Sequence, residues 1–142
     1  MPFPQIRHCL VCEDIRPEAH RKNTLLGFYG VTPYAEIRIQ DLTQPIGRLA
    51  FFLMGGPGEG TFKVSFEILG EDGFVVVPRI DGTAVIKGND ARYTAGYNFT
   101  FGFGLLRFPA PGRYTVRLFV EGQPHFEDSF AVSQGAPGEF QS

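Results

Sequence analysis

The chain has 142 residues, with 13 basic and 15 acidic side chains and a formal charge of −2 at neutral pH. A chain of this length buries the core of one domain without staples, and 43% hydrophobic with 20% charged residues excludes a disordered polymer. The acidic balance argues against a nucleic-acid binder, whose affinity comes largely from phosphate contacts, and the longest apolar run, Leu49–Met54, falls far short of the ~20 residues that cross a bilayer.

Glycine (18) and proline (11) together make up about one residue in five and are spread along the chain, so long helices have little room. Fifteen Phe and five Tyr suit pleated, half-buried surfaces. The expected class is all-β.

Ile6 to Asp14 reads as a strand, with Ile6, His8, Leu10 and Cys12 on one face and Arg7, Cys9, Val11 and Glu13 on the other. A polar connection from Pro17 to Asn23 leads to a return strand from Thr24 to Val31. In Ala35–Leu42, Ile37 and Ile39 alternate with Arg38 and Gln40, which favours a strand. Ile39, Leu42 and Ile46 would also suit a helical turn. Arg48–Met54 is a strand without polar alternation, and Gly55–Gly60 is a loop. Thr61–Leu69 alternates cleanly, with Phe62, Val64, Phe66 and Ile68 inward.

Glu71-Asp72-Gly73 turns into a strand from Phe74 to Ile80. Asp81-Gly82 reads as a two-residue hairpin turn that needs positive φ, followed by a short strand from Thr83 to Lys87. Tyr97, Phe99, Phe101 and Phe103 share one face of the next strand. Phenylalanine has no polar handle, and no basic groove accompanies the stripe, so it is expected in the core rather than as a stacking platform. A final hairpin places Tyr114, Val116, Leu118 and Val120 against Phe126, Asp128, Phe130 and Val132. Eight or nine short strands at roughly ten-residue spacing define an antiparallel β-sandwich. A single domain is expected over residues 1–134, with a frayed tail over 135–142.

Two stretches carry a resemblance: Cys9-Leu-Val-Cys-Glu-Asp-Ile-Arg16 followed by Asn23-Thr-Leu-Leu-Gly-Phe-Tyr-Gly30, and Gly112-Arg-Tyr-Thr-Val-Arg-Leu-Phe-Val-Glu-Gly122 with Phe130-Ala-Val132. Together they resemble a family of small, uncharacterised bacterial proteins classed as a domain of unknown function. The resemblance spans most of the chain. It implies a sandwich of the immunoglobulin-like or C2-like type and carries no activity.

Cys9 and Cys12 have Cys-x-x-Cys spacing, but on a strand they point to opposite faces about 10 Å apart, too far for a disulfide. They are expected as free thiols in a reducing compartment. The N-terminal residues show no basic stretch followed by an apolar one, so no secretion signal is expected and the location is read as cytoplasmic. His8, Cys9, Cys12 and His20 do not form the paired knuckles of structural zinc. Gly55–Gly60 lacks the lysine and helix of a phosphate loop. No serine sits in a nucleophile elbow, and the histidines have no evident nucleophile partner. No enzyme, metal or cofactor is therefore expected.

The acidic residues Glu13, Asp14, Asp41, Glu71, Asp72, Asp81 and Asp90 fall near strand ends without a dense Asp-x-Asp pattern. Glu13 and Asp14 with Arg16 and His20 form the densest ionisable group and the weak candidate for a ligand site. Leu49, Phe51 and Leu53 fill one face of their strand and Ala50, Phe52 and Met54 the other, so the outward set needs a cover. Leu49, Phe51, Phe52 and Leu53 are the interface candidates. The leading reading is a non-enzymatic interaction or structural protein forming a homo-oligomer, most simply a dimer, or meeting an unidentified protein partner. No contact with nucleic acid or membrane is expected. The alternative is a sandwich that binds a small ligand or calcium through its end loops.

Overall fold

The computed structural model describes residues 3–87 and 96–135. Asp90 and all of the tail beyond Gly135 lie outside them. Among the described residues nine strands run in chain order: β1 (Ile6–Pro17), β2 (Asn23–Val31), β3 (Glu36–Ile39), β4 (Ile46–Gly55), β5 (Gly60–Gly70), β6 (Val75–Ile86), β7 (Asn98–Leu106), β8 (Gly112–Val120) and β9 (Gln123–Gln134). They form a four-stranded sheet in the order β2-β1-β4-β7 and a five-stranded sheet in the order β3-β9-β8-β5-β6. A short 3₁₀ turn, Ala19–Arg21, links β1 to β2. The chain is all-β and sandwich-like, as its composition and alternation require.

The core lies between the two sheets. From β4 come Leu49, Phe51 and Leu53; from β5 Val64, Phe66 and Ile68; from β8 and β9 Tyr114, Val116, Leu118, Phe130 and Val132. Phe51 sits at its centre, with ring centroids 5.5 Å from Phe66 and 5.6 Å from Phe130. Phe66 stacks on Phe101 at 4.4 Å. Phe99, Phe101 and Phe103 thus pack against the core, as expected for a stripe with no polar handle. Tyr114 reaches the Pro109–Gly112 turn, where its hydroxyl donates to the Ala110 carbonyl at 2.6 Å.

Four details depart from the sequence reading. Ile6 faces the core with Cys9 and Val11, because the register of β1 on β4 shifts between Ile6 and His8 and moves Ile6 to the other face. The Ala35–Leu42 segment is a strand only over Glu36–Ile39, with Ile37 and Ile39 buried. That strand pairs parallel to β9, so the sandwich is not wholly antiparallel. Finally, Asp81-Gly82 is not a turn.

Val75–Ile86 is one strand, with Asp81 opposite Ser65 and Gly82 opposite Val64. The Asp81 carboxylate accepts a hydrogen bond from the Ser65 hydroxyl at 2.8 Å, so the residue serves the ladder instead of a bend. The two-residue turn with positive φ at both positions lies instead at Glu121 (φ 50°) and Gly122 (φ 77°), between the paired Val120 and Gln123. Gly82→Val is therefore expected to leave stability within about 1 kcal/mol of wild type: its Cβ would meet only a Val64 methyl at 3.8 Å, an ordinary contact. Gly122→Val, at a left-handed position, is expected to cost about 1–3 kcal/mol. Urea denaturation of the two variants checks the order, and an equal loss in both would contradict it.

Candidate functional site

The four ionisable candidates do not converge. Asp14 uses one carboxylate oxygen to accept from the Arg48 guanidinium at 2.8 Å and the other to accept from the Ile15 amide at 2.9 Å. Glu13 lies against Gly27, where a Cβ would come within 2.5 Å of the carboxyl carbon, and points away from Asp14 along the alternating strand. Burial, and then the Glu13 carboxylate nearby, hold the Tyr29 hydroxyl above its ordinary pKa. Arg16 is exposed opposite Thr24 near the end of β1, and His20 is exposed in the 3₁₀ turn at φ 61°. Asp14 and Glu13 border a common depression, an open hollow edged by Arg48, Ala50 and Gly102. Among the described residues no group of three or more His, Cys, Asp or Glu is placed to hold a metal ion.

The two cysteines face opposite ways. Cys9 is wholly buried between the sheets, and Cys12 is wholly buried on the outer side of β1, opposite Phe28 and Ala50. Both are free thiols. The Cys12 thiol donates weakly to the Asp14 carbonyl at 3.4 Å. Burial raises its pKa, and that hydrogen bond offsets the rise in part. Burial drives the Cys9 thiol up to about 12, helped by the charge of Asp128. The Thr32 hydroxyl lies close enough to oppose that rise slightly, yet its Oγ makes no hydrogen bond of good geometry with a described protein atom. Native protein at pH 8 is expected to resist iodoacetamide at both cysteines, whereas the unfolded chain takes up two alkyl groups without prior reduction. Intact mass spectrometry reads both results, and an oxidised pair after aerobic purification would contradict them.

The two outer faces of the sandwich differ in chemistry. On the five-stranded sheet, Glu67 lies 3.7 Å from Arg79 and 3.8 Å from Arg117, and Arg117 binds Glu127 at 2.6 Å. The Arg79 guanidinium covers the one large apolar ring there, 3.7 Å above the centre of Phe119. The middle of that face is charged, and its exposed apolar side chains, Val75 and Val85, stand apart near the two ends of the edge strand β6.

The outer face of the four-stranded sheet is apolar at its middle. Phe52 is its floor at 6% exposure, opposite Leu10 on β1 and Thr100 on β7. Cys12 and Ala50 continue the floor. Phe28, 55% exposed, and Met54, 37% exposed, rise at its sides. Asp14 and Arg48 pair at one end, and the exposed His8 lies opposite Met54 at the other. Of the four interface candidates, Leu49, Phe51 and Leu53 belong to the inner core and are corrected on that ground, leaving Phe52 on the outer face. The alternation of β1 and β4 gave the sidedness. Phe28 was missed because β2 is apolar on both faces and a register shift in its pairing with β1 hides which side each residue takes.

The fold and this uneven pair of faces define a small two-sheet β-sandwich. The pattern described as "Family of unknown function (DUF6941)" matches residues 7–133, and the chain belongs to that family. No curated protein matches the chain. Among solved structures, an alkylpurine DNA glycosylase AlkC from Pseudomonas fluorescens, bound to DNA containing an abasic site analogue, aligns at 17% identity with a TM-score of 0.34. The alignment covers 72% of this chain and 28% of that one, so the chain spans under a third of that protein's length. Among the described residues no helix is long and apolar enough to cross a membrane.

Proposed function

We propose that this protein is a non-enzymatic interaction module that self-associates, with the outer face of the β2-β1-β4-β7 sheet packed on the same face of a second copy. The observation that carries the reading is the contrast between the middles of the two outer faces: one is laced with ion pairs, and the other holds Leu10, Phe28, Phe52 and Met54, with His8 and the Asp14–Arg48 pair only at its ends. Contiguous apolar surface of this kind marks a contact site. A second copy suits it because a two-fold contact must be self-complementary. The single Asp14–Arg48 pair at its border gives each copy one anion and one cation to set against the other's. The dispersal of Glu13, Asp14, Arg16 and His20 supports a docking role over a catalytic one. Two buried free thiols suit the reducing cytoplasm.

Phe28→Glu tests the reading, because Phe28 is half exposed and its replacement leaves the core intact. Light scattering coupled to size exclusion is expected to show at least a halving of the wild-type mass, with an unchanged β-sheet circular dichroism spectrum. An unchanged mass would refute the face as the contact.

A further inference from the structure

The four-stranded sheet ends at β7, and among the described residues no strand pairs with its far side. A free edge offers a row of backbone donors and acceptors, and soluble proteins usually blunt such edges with charge, proline, bulges or brevity. The other edges here do so. Strand β6 carries Pro78, Arg79 and Asp81 and two register shifts. Strand β3 has only four residues, and the part of β9 beyond it carries Pro124 and the inward-facing Asp128. The pairing of β2 is broken by a register shift, with Gly27 at φ 61°.

Strand β7 has no charge and no proline over Asn98–Leu106 and pairs with β4 from Arg48 to Met54 without a shift; its one irregular residue, Leu105 at φ 56°, lies at its far end. We propose that this edge pairs antiparallel with β7 of another copy, joining two four-stranded sheets into one of eight strands. The contact is separate from the face described above.

The occupant follows from the strand's own pattern. Whatever adds to β7 must present apolar side chains toward the rims of Phe99, Phe101 and Phe103, which are only partly buried. On the outer side it must present small or polar ones beside Thr100 and Gly102. Strand β7 itself is such a segment. A two-fold axis near Gly102, the middle residue of the strand, sets Phe101 of one copy opposite Phe103 of the other, an aromatic cross-strand pair on the core side. Backbone bonds along a neutral strand give no reason for two copies to repel.

Together with the face contact, this edge makes an assembly of four chains with two kinds of two-fold contact. The test starts from Phe28→Glu, in which the face contact is already removed. Light scattering is expected to give two chains for Phe28→Glu and one for Phe28→Glu combined with Gly102→Lys. The Gly102 Cβ direction is open, with nothing within 4 Å, so the lysine does not disturb the fold, but it brings two cations together across the axis. Hydrogen exchange of β7 amides is expected to quicken at least ~10-fold between the two variants, with amides of β8 unchanged.

A monomeric Phe28→Glu overturns the edge pairing and leaves the face contact standing. A Phe28→Glu with the mass of wild type, split by Gly102→Lys with β7 amides that exchange faster, overturns the face contact as drawn and leaves the edge; the same split with β7 exchange unchanged overturns the edge. A two-chain species that Gly102→Lys does not split, or β7 amides that exchange equally fast in both variants, overturns the edge pairing.

Discussion

Phe51→Ala is expected to destabilise the fold by about 3–5 kcal/mol, the range for emptying an aromatic site in a packed core. Phe51 is fully buried on one of the two inner strands of its sheet and touches the rings of Phe66, Phe103 and Phe130, so its removal opens a cavity that both sheets line. Neighbouring strands cannot close on the void without breaking their ladders, which puts the cost toward the upper end. Domains of this size hold about 5–15 kcal/mol in total, so the variant is left near its threshold. Urea unfolding followed by circular dichroism reads the loss. A shift of less than 1 kcal/mol would mean that the two sheets do not meet at this residue.

Alkaline pH is expected to weaken the fold through Cys9. Its thiol is raised from 9 to about 12 by burial in the folded state. Below pH 9 the thiol is protonated in both states, and its contribution to stability is fully present. Above pH 9 the unfolded chain releases the proton and the folded chain does not, so stability falls by about 1.4 kcal/mol per pH unit until the folded thiol itself ionises. Cys12, Tyr29 and Tyr114 are raised too and push the same way, which makes a Cys9→Ala comparison necessary. Unfolding free energies of wild type and Cys9→Ala between pH 8 and pH 11 are expected to diverge in slope, with the variant falling less steeply. Parallel slopes would show that Cys9 is not held protonated by the core.

Strict alternation carried most of the architecture into the sequence. Phe62-Val64-Phe66-Ile68 and Tyr114-Val116-Leu118-Val120 declare their inner faces directly, and both sets line the core. Bulges and local turn signals did not carry over so well. Ile6 changes face through a register shift, and Asp81-Gly82 has the composition of a turn but is absorbed into a long edge strand by its pairing with Ser65 and Val64. Glu121 adopts positive φ although glutamate rarely does, because the tight hairpin between Val120 and Gln123 requires it.

The candidate site was half legible. The unbroken apolar run Leu49–Met54 announces that one of its faces needs a cover, and Phe52 is on that face. The partners that complete the surface, Leu10 and Phe28, come from strands distant in sequence or apolar on both sides, and only the pairing of β2, β1 and β4 brings them together. The cluster of Glu13, Asp14, Arg16 and His20 misled for the opposite reason. Neighbours along a strand and a turn diverge in space, and Asp14 finds its partner in Arg48, 34 residues away.

The mass of the wild-type chain in solution tests the central claim most directly. Light scattering at ~10–100 µM is expected to give a multiple of the 15.8 kDa chain mass that falls on dilution as one equilibrium or two. A single species of one chain mass across that range would contradict self-association through the apolar sheet.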